Sequence, residues 1–273
     1  MSDAEVSSTG ADDLDRVSVT EEQVLEGSAF SLYQAGLWRR QFPWLVHGIT
    51  LRLSPAGDEF DLGVGGTRPV GEVLSRWRTL REELAFHTVV LSEQVHGSTI
   101  RVARGGSGGF QFSSPGDGHL TREAGVLLAV SIADCVPIFL VEPRSRVLGL
   151  LHAGWRGVAA GIVEQGVDAM YRRFGISPGE VHVYLGPAIS RARYPVGAEV
   201  FDALGRTDLP GDGCLDLRQE LARRLLRQGI ESENLQISQT CVHDDPRFFS
   251  HRKGDAGRQV ALLGYLGRPG SRR

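Results

Sequence analysis

Three side chains that can ligate a transition metal stand at the ends of apolar runs: His96 in SEQVHG, Cys135 in SIADCVPIFL and His152 in LLHAGWRG. Each sits beside a Gly, Pro or Asp that bends the chain. Taken singly, a histidine at a strand end is most often a hydrogen-bonded structural residue, and a free cysteine a small apolar filler. Together they would form a Cys-His-His set with a position left open, the arrangement of catalytic zinc, and no Cys-x2-Cys finger spacing competes with it. Such an ion lowers the pKa of water to about 7 and so supplies a nucleophile at neutral pH. Asp134, next to Cys135, could orient a ligand, take a proton or only cap a turn.

Other residues could serve the same chemistry. After His152 the chain turns through Gly-Trp-Arg-Gly into an amphipathic run, so a helix starting there would aim its free N–H groups back at the histidine. Gly154 and Gly157 either admit a ligand close to the backbone or only permit tight strand–helix packing, and Arg156 is either an anion contact or a solvated cation. Pro187 and Pro195 frame Tyr194 in a segment stiff enough to wall a pocket. Near the end, FFSHRKGDAGRQ gathers an aromatic pair with His251, Arg252, Lys253 and Arg258, which suits a base or an anionic group, or an ordinary solvated turn.

The elements that must position these residues follow from periodicity and punctuation. Residues 1–20, acidic and poor in large apolar side chains, read as a disordered tail. Thr20 with Gln23 resembles a capping box, which makes 21–43 a helical extension ended at Pro43. WLVHGITLRLS reads as the first strand of a catalytic domain over 44–268. GEVLSRWRTLREELAF reads as a helix with Val73, Trp77, Leu80 and Leu84 on one face. TVVLSEQVHG, STIRVA, GVLLAVSIADC, PIFLVE and RVLGLLHAG read as buried strands, and ARGGSGGFQFSSPGDG as a flexible surface loop. From Arg156 a single helix runs to a cap at Gly175. A strand VHVYLGPAI, a helix ending at Gly229 and the strands NLQISQTCV and RQVALLGYL complete an α+β fold: one domain of mixed β-sheets with flanking helices.

Composition narrows the function. The 273 residues carry a net charge of -3, which leaves no basic footprint for nucleic acid. No apolar run approaches the length of a membrane span, and the N-terminus lacks a secretory pattern. Three cysteines are too few for a disulfide framework, so the expectation is a cytoplasmic protein with reduced thiols.

Taken in order, HGITLR, SEQVHG, GDGHLT, ADCVPIFL, HAGWRG, LGPAISRARYPVGAEV and FFSHRKGDAGR resemble the YfiH family, also called the polyphenol oxidase or laccase-domain family. The likeness spans about His47 to Leu266. It implies a fold similar to the catalytic domain of cytotoxic necrotizing factor toxins. It also implies a zinc site at His96, Cys135 and His152, with copper as the other candidate metal. The activity implied is phosphorolysis of adenosine, inosine and methylthioadenosine, with adenosine deamination beside it. Arg52, matching the arginine of a family motif, is a candidate catalytic and substrate-binding residue; Gln94, Arg156 and Arg252 are further candidates for substrate binding. The chain departs from the family at DLGVGGTRPVGEV, at CVHD and at FFSHRK, where His251 replaces a tyrosine; these departures bear on substrate preference.

Two rival activities and one non-catalytic role remain in view. A multi-copper oxidase relay needs far more imidazoles than one site, commonly in His-x-His pairs, whereas this chain has 8 histidines and no such pair. Cys135 with His152 could also form a metal-free dyad for a deamidase acting on cell-wall peptides. A binding protein with a retired site has no physical need to keep all three ligands.

Overall fold

The structure is a computed structural model that describes residues 14–106, 108–206 and 212–267. In chain order the strands and helices begin β1 (Ser18–Val19), β2 (Glu22–Glu26), β3 (Ser31–Ala35), α1 (Gly36–Gln41), β4 (Leu45–Thr50), α2 (Val70–Glu83) and β5 (Thr88–Ser92). There follow β6 (Ile100–Val102), β7 (Gly109–Ser113), β8 (Gly118–Thr121), β9 (Val126–Ile132), β10 (Val136–Glu142) and β11 (Val147–Ala153). After these come α3 (Trp155–Ala159), α4 (Ile162–Phe174), β12 (His182–Leu185), β13 (Pro195–Val196), α5 (Ala198–Ala203) and β14 (Gly213–Cys214). The chain closes with α6 (Leu217–Arg227), β15 (Leu235–Ile237) and β16 (Gln259–Tyr265).

Two seven-stranded mixed sheets, ordered β1-β15-β12-β10-β11-β8-β6 and β2-β3-β4-β16-β9-β5-β7, pack face to face. Phe139, Val141, Leu148 and Leu150 of the first sheet meet Ile49, Leu128, Val130 and Leu263 of the second. The outer face of the first sheet is covered by α4 and α6, where Ile138, Leu140 and Leu151 pack on Ile162, Val167, Leu221 and Leu225. The outer face of the second is covered by α2, with Val73, Trp77 and Leu80 against Leu127, Ala129 and Leu262. Strands buried on both faces need apolar side chains at every position, which is why β10, β11 and β16 are continuous apolar runs without alternation. Among the described residues, no helix is long and apolar enough to cross a membrane.

Several expectations are corrected. The stretch 21–43 is not a helical extension: β2 and β3 form a hairpin that continues the second sheet through β4, and only Gly36–Gln41 is helical. The Thr20 amide donates to Ile237 O at 3.2 Å, so the box does not form. Pairing with β4 overrides a weak local helix signal here, and the domain begins before residue 44. Of the tail expected over 1–20, residues 1–13 lie outside the described residues, while Ser18–Val19 pairs in parallel with β15. Part of the expected loop 103–118 is strand β7, paired in parallel with β5, with Phe110 edge-on to Trp77 at 6.3 Å. The helix expected from Arg156 is broken into α3 and α4 at Gly161, whose φ is +81°. Gly175 does cap the second piece, at φ +73°.

Candidate metal centre and cleft

His96, Cys135 and His152 converge although 56 residues separate the first from the last, and their ligand atoms all lie within 4.8 Å of one another. Cys135 follows β9 and precedes β10, two strands that belong to different sheets. Asp134, at φ +89°, makes the sharp crossing between them. His152 lies on β11, opposite Pro137 of β10, and is buried. His96 is the exposed member and holds a left-handed backbone at φ +57°. A non-glycine residue adopts that conformation at a cost and keeps it only where its surroundings impose it.

Two side chains impose it. Asp117, wholly buried at the start of β8, accepts the backbone N–H groups of Val95 (3.2 Å), His96 (2.9 Å) and Gly97 (2.8 Å). The same carboxylate lies 2.9 Å from His152 Nδ1. Gln94 bridges to the edge of β9, its Nε2 donating to Ser131 O (2.9 Å) and its Oε1 accepting from Ser131 N (2.7 Å). The candidate substrate contact Gln94 therefore has its polar atoms committed to Ser131, although it lines the cleft. The role of Asp117 was not foreseen. Its signal was the Gly-Asp-Gly of GDGHLT: a Cβ at Gly118 would come within 2.5 Å of Ile100 and 2.6 Å of Leu151, so the carboxylate is carried in on backbone that must pack tightly.

The electrostatics couple Cys135 and His152 as a thiolate beside a protonated imidazole, a pair from which an ion ligated by His152 would displace the proton. Burial pushes the Cys135 thiol up, but the His152 charge and hydrogen bonds from both histidines outweigh it and hold the group below its ordinary range. Burial pushes His152 down, and the Cys135 charge with the Asp117 hydrogen bond more than reverses that. Asp117 is held low because the His152 partner and the backbone amides outweigh its burial. Asp117 on Nδ1 leaves Nε2 of His152 as the nitrogen that could ligate an ion, the carboxylate–histidine arrangement found behind many metal sites. Gly154 is part of the cradle: a Cβ there would stand 2.9 Å from Cys135 Sγ and 3.1 Å from the His96 ring. A Cβ on Gly157 would meet Gly97 O at 3.0 Å. Both glycines thus permit close packing of the ligand-bearing segments. The helix that starts there, α3, has only 5 residues, so little macrodipole stands behind its N-terminus.

The three side chains open into a cleft of about 770 Å³. Val64, Leu91, Phe112, Trp155 and Tyr194 give it apolar surface, and Arg156, Arg252 and Arg258 give it positive charge. Arg156 lies over the Trp155 ring at 4.4 Å and Arg252 over Tyr194 at 5.0 Å. Among the described residues, none of these three arginines has a carboxylate within ion-pair distance. Tyr194 is pushed up to about 12, chiefly by burial and then by the Cys135 charge. Asp134 is not free to act on a ligand or a proton, since its oxygens accept Ser250 Oγ and the Arg252 N–H, each at 2.6 Å. Arg52 lies outside the cleft lining. It pairs with Asp255 at 3.1 Å and stacks on Phe249 at 5.0 Å, while Asp255 in turn accepts the Ser250 N–H at 2.9 Å. The structure thus brings together His96, Cys135, His152, Arg156 and Arg252, and leaves Arg52 outside the cleft lining, paired with Asp255.

Comparison with known proteins agrees with this architecture. Residues 52–265 match the family model described as multi-copper polyphenol oxidoreductase laccase, and the chain belongs to that family. The purine nucleoside phosphorylase YlmD of Geobacillus stearothermophilus is 39% identical over 225 residues, which cover 74% of this chain and 81% of that one. A purine nucleoside phosphorylase of Deinococcus radiodurans is 35% identical over 224 residues, 79% of this chain and 85% of its own. The crystal structure of the Geobacillus YlmD superposes with a TM-score of 0.79, covering 92% of this chain and 100% of that one at 31% identity. That of the Bacillus licheniformis protein YfiH gives 0.78, covering 90% and 99% at 26% identity. The relatives place this chain among proteins named as enzymes of small-molecule substrates.

Proposed function

We propose that the protein is a zinc-dependent purine nucleoside phosphorylase acting on adenosine, inosine and methylthioadenosine, with adenosine deamination as a second activity. The observation that carries this is the placement in a single cleft of one Cys-His-His set and three guanidinium groups without a carboxylate partner among the described residues, where Arg252 and Arg258 bond only to backbone carbonyls. His96, Cys135 and His152 would hold the ion, and the thiolate–imidazole mixture with an open position is a donor set zinc accepts. Copper takes such ligands as well. The described residues contain this one cluster of candidate ligands, which suits a single ion better than a multi-copper relay.

A zinc ion in this site would supply Lewis-acid chemistry and make water acidic enough to act as a nucleophile at neutral pH. The remaining work falls to the chain. Arg156, Arg252 and Arg258 bind the phosphate dianion and hold it for attack, since guanidinium groups match phosphate oxygens in paired hydrogen bonds. Phe112, Trp155, Val64 and Leu91 take up the flat apolar base and exclude water from it. In phosphorolysis a phosphate oxygen forms the new bond to the ribose C1′. The bond from C1′ to the purine breaks, and its electron pair leaves with the base. In deamination water adds at C6 of adenosine and ammonia departs.

The test is metal analysis of the purified protein together with chromatography of adenosine incubated with phosphate, repeated for Cys135→Ala. Stoichiometric zinc, with adenine and inosine formed by the wild type and absent for the variant, is expected. Copper in place of zinc would correct the metal. Turnover that survives chelation, with Cys135 rapidly alkylated, would replace this reading with metal-free cysteine chemistry.

A further inference from the structure

Away from the cleft, a second groove of about 960 Å³ runs between the β6 segment and the C-terminal half of α4. Five arginines line it: Arg101 and Arg104 from the β6 segment, Arg122 from the turn after β8, and Arg172 and Arg173 from the end of α4. Two carboxylates face them. Asp168 is taken by Arg172 at 2.8 Å, and Glu123 accepts the Gly105 N–H. Arg101 gives its Nε and Nη2 to Pro115 O. Among the described residues, Arg101, Arg104, Arg122 and Arg173 have no carboxylate within ion-pair distance. This positive concentration stands on a chain whose net charge is -3.

Arg172 and Arg173 have an ordinary role at a helix C-terminus, where cations oppose the macrodipole. That role does not reach Arg101, Arg104 and Arg122, which approach the same groove from other elements. Although Arg104, Arg122, Arg172 and Arg173 are solvent-exposed, like charges gathered from several sides of a concavity focus a positive potential that draws an anion in. The planar guanidinium fork matches phosphate oxygens better than it matches a diffuse negative surface. A nucleic acid strand would want aromatic platforms for its bases, and Phe174 is the sole aromatic side chain in the lining.

We propose that this groove is a binding site for a compact oligophosphate, separate from the phosphate subsite of the cleft. The ligand's neighbouring phosphate groups pair with Arg104 and Arg122 on one side and Arg173 on the other. Nothing in this inference depends on the reaction proposed for the cleft.

Isothermal titration of the full-length, metal-loaded protein with tripolyphosphate at physiological salt tests it. Wild-type protein binds, and Arg104→Ala with Arg173→Ala weakens binding by about tenfold or more, as expected for the loss of charge-assisted hydrogen bonds. Arg252→Ala in the cleft leaves that binding in place. An unchanged melting temperature for the double variant shows that the loss is local. Adenosine triphosphate as competitor separates the sources of the chemistry: displacement tighter than by free oligophosphate points to a nucleotide, equal or weaker displacement to the phosphate chain itself. The proposal is overturned if wild-type protein does not bind, if the double variant binds as wild type, if Arg252→Ala alone abolishes binding, or if polyglutamate displaces the ligand as well as tripolyphosphate does.

Discussion

Asp117 Oδ1 lies 2.9 Å from His152 Nδ1 and also 2.9 Å from the backbone nitrogen of His96, so one buried oxygen positions two of the three candidate metal ligands. The side chain behind the site thereby sets both the orientation of the His152 ring and the strained backbone of His96. Asp117→Asn should keep the volume but turn a donor group towards amides that need an acceptor. Metal affinity should fall by about 10–100-fold, the usual effect of losing such a partner. Competition against a chromogenic chelator reads this directly. Affinity equal to wild type would show that the ligands hold their places without the carboxylate.

Gly154→Ala makes a steric prediction. The added methyl would stand 2.9 Å from Cys135 Sγ and 3.1 Å from His96. The extended backbone at Gly154, φ -85° and ψ 169°, suits alanine, so strain in the chain itself should be small. The variant should fold, with a melting temperature near wild type when both are metal-free, and should retain little metal. Wild-type metal content would mean the triad tolerates displacement.

Arg52 and Arg252 should separate kinetically. Arg252→Ala removes a cation from the cleft wall and should raise KM for phosphate by about tenfold or more, as for one lost charge-assisted contact. Arg52→Ala breaks the pair with Asp255 outside the cleft lining. Its part-exposed geometry makes the stability cost about 1 kcal/mol or less. Steady-state kinetics at varied phosphate, with urea midpoints alongside, distinguish the two. A larger KM effect for Arg52→Ala than for Arg252→Ala would place Arg52 on the substrate.

Acid should weaken the fold through His47 and His119. Burial pushes each down to about 4, aided by Arg39 and Arg101 respectively. The unfolded chain takes these protons near the ordinary 6.5, before the folded protein can. The stabilisation is therefore complete above about pH 6.5 and is lost as the pH falls towards 4. At pH 5 the loss should be about 2 kcal/mol per histidine. Urea midpoints at pH 7.5 and 5 measure it, and His119→Asn should remove part of the difference. A pH-independent midpoint would refute the assignment.

The limits of sequence reading show in particular residues. His96, Cys135 and His152 were legible because metal-ligating types at strand ends, next to chain-bending residues, are chemically conspicuous. So was the face of α2, because Val73, Trp77 and Leu80 repeat with the helical period and all are buried. Arg52 and Gln94 were legible as polar residues within motifs, but their partners, Asp255 and Ser131, are 203 and 37 residues away along the chain. No local pattern tells an arginine that lines the cleft from one that pairs with a carboxylate outside it.

The sequence alone determined the local chemistry of this protein: which side chains can ligate, where apolar runs must be buried, and where Gly175 must stop a helix. Those properties depend on residue type and near-neighbour spacing. The tertiary structure decided what depends on long-range contact. The β2–β3 hairpin stands where a helix was expected because β4 offers main-chain partners. The cleft gathers its arginines from α3 and from the loop before β16, held together by Asp134 and Ser250. A buried carboxylate at residue 117 reaches His96 and His152 only because two sheets, closed over a shared core, carry all three to one point.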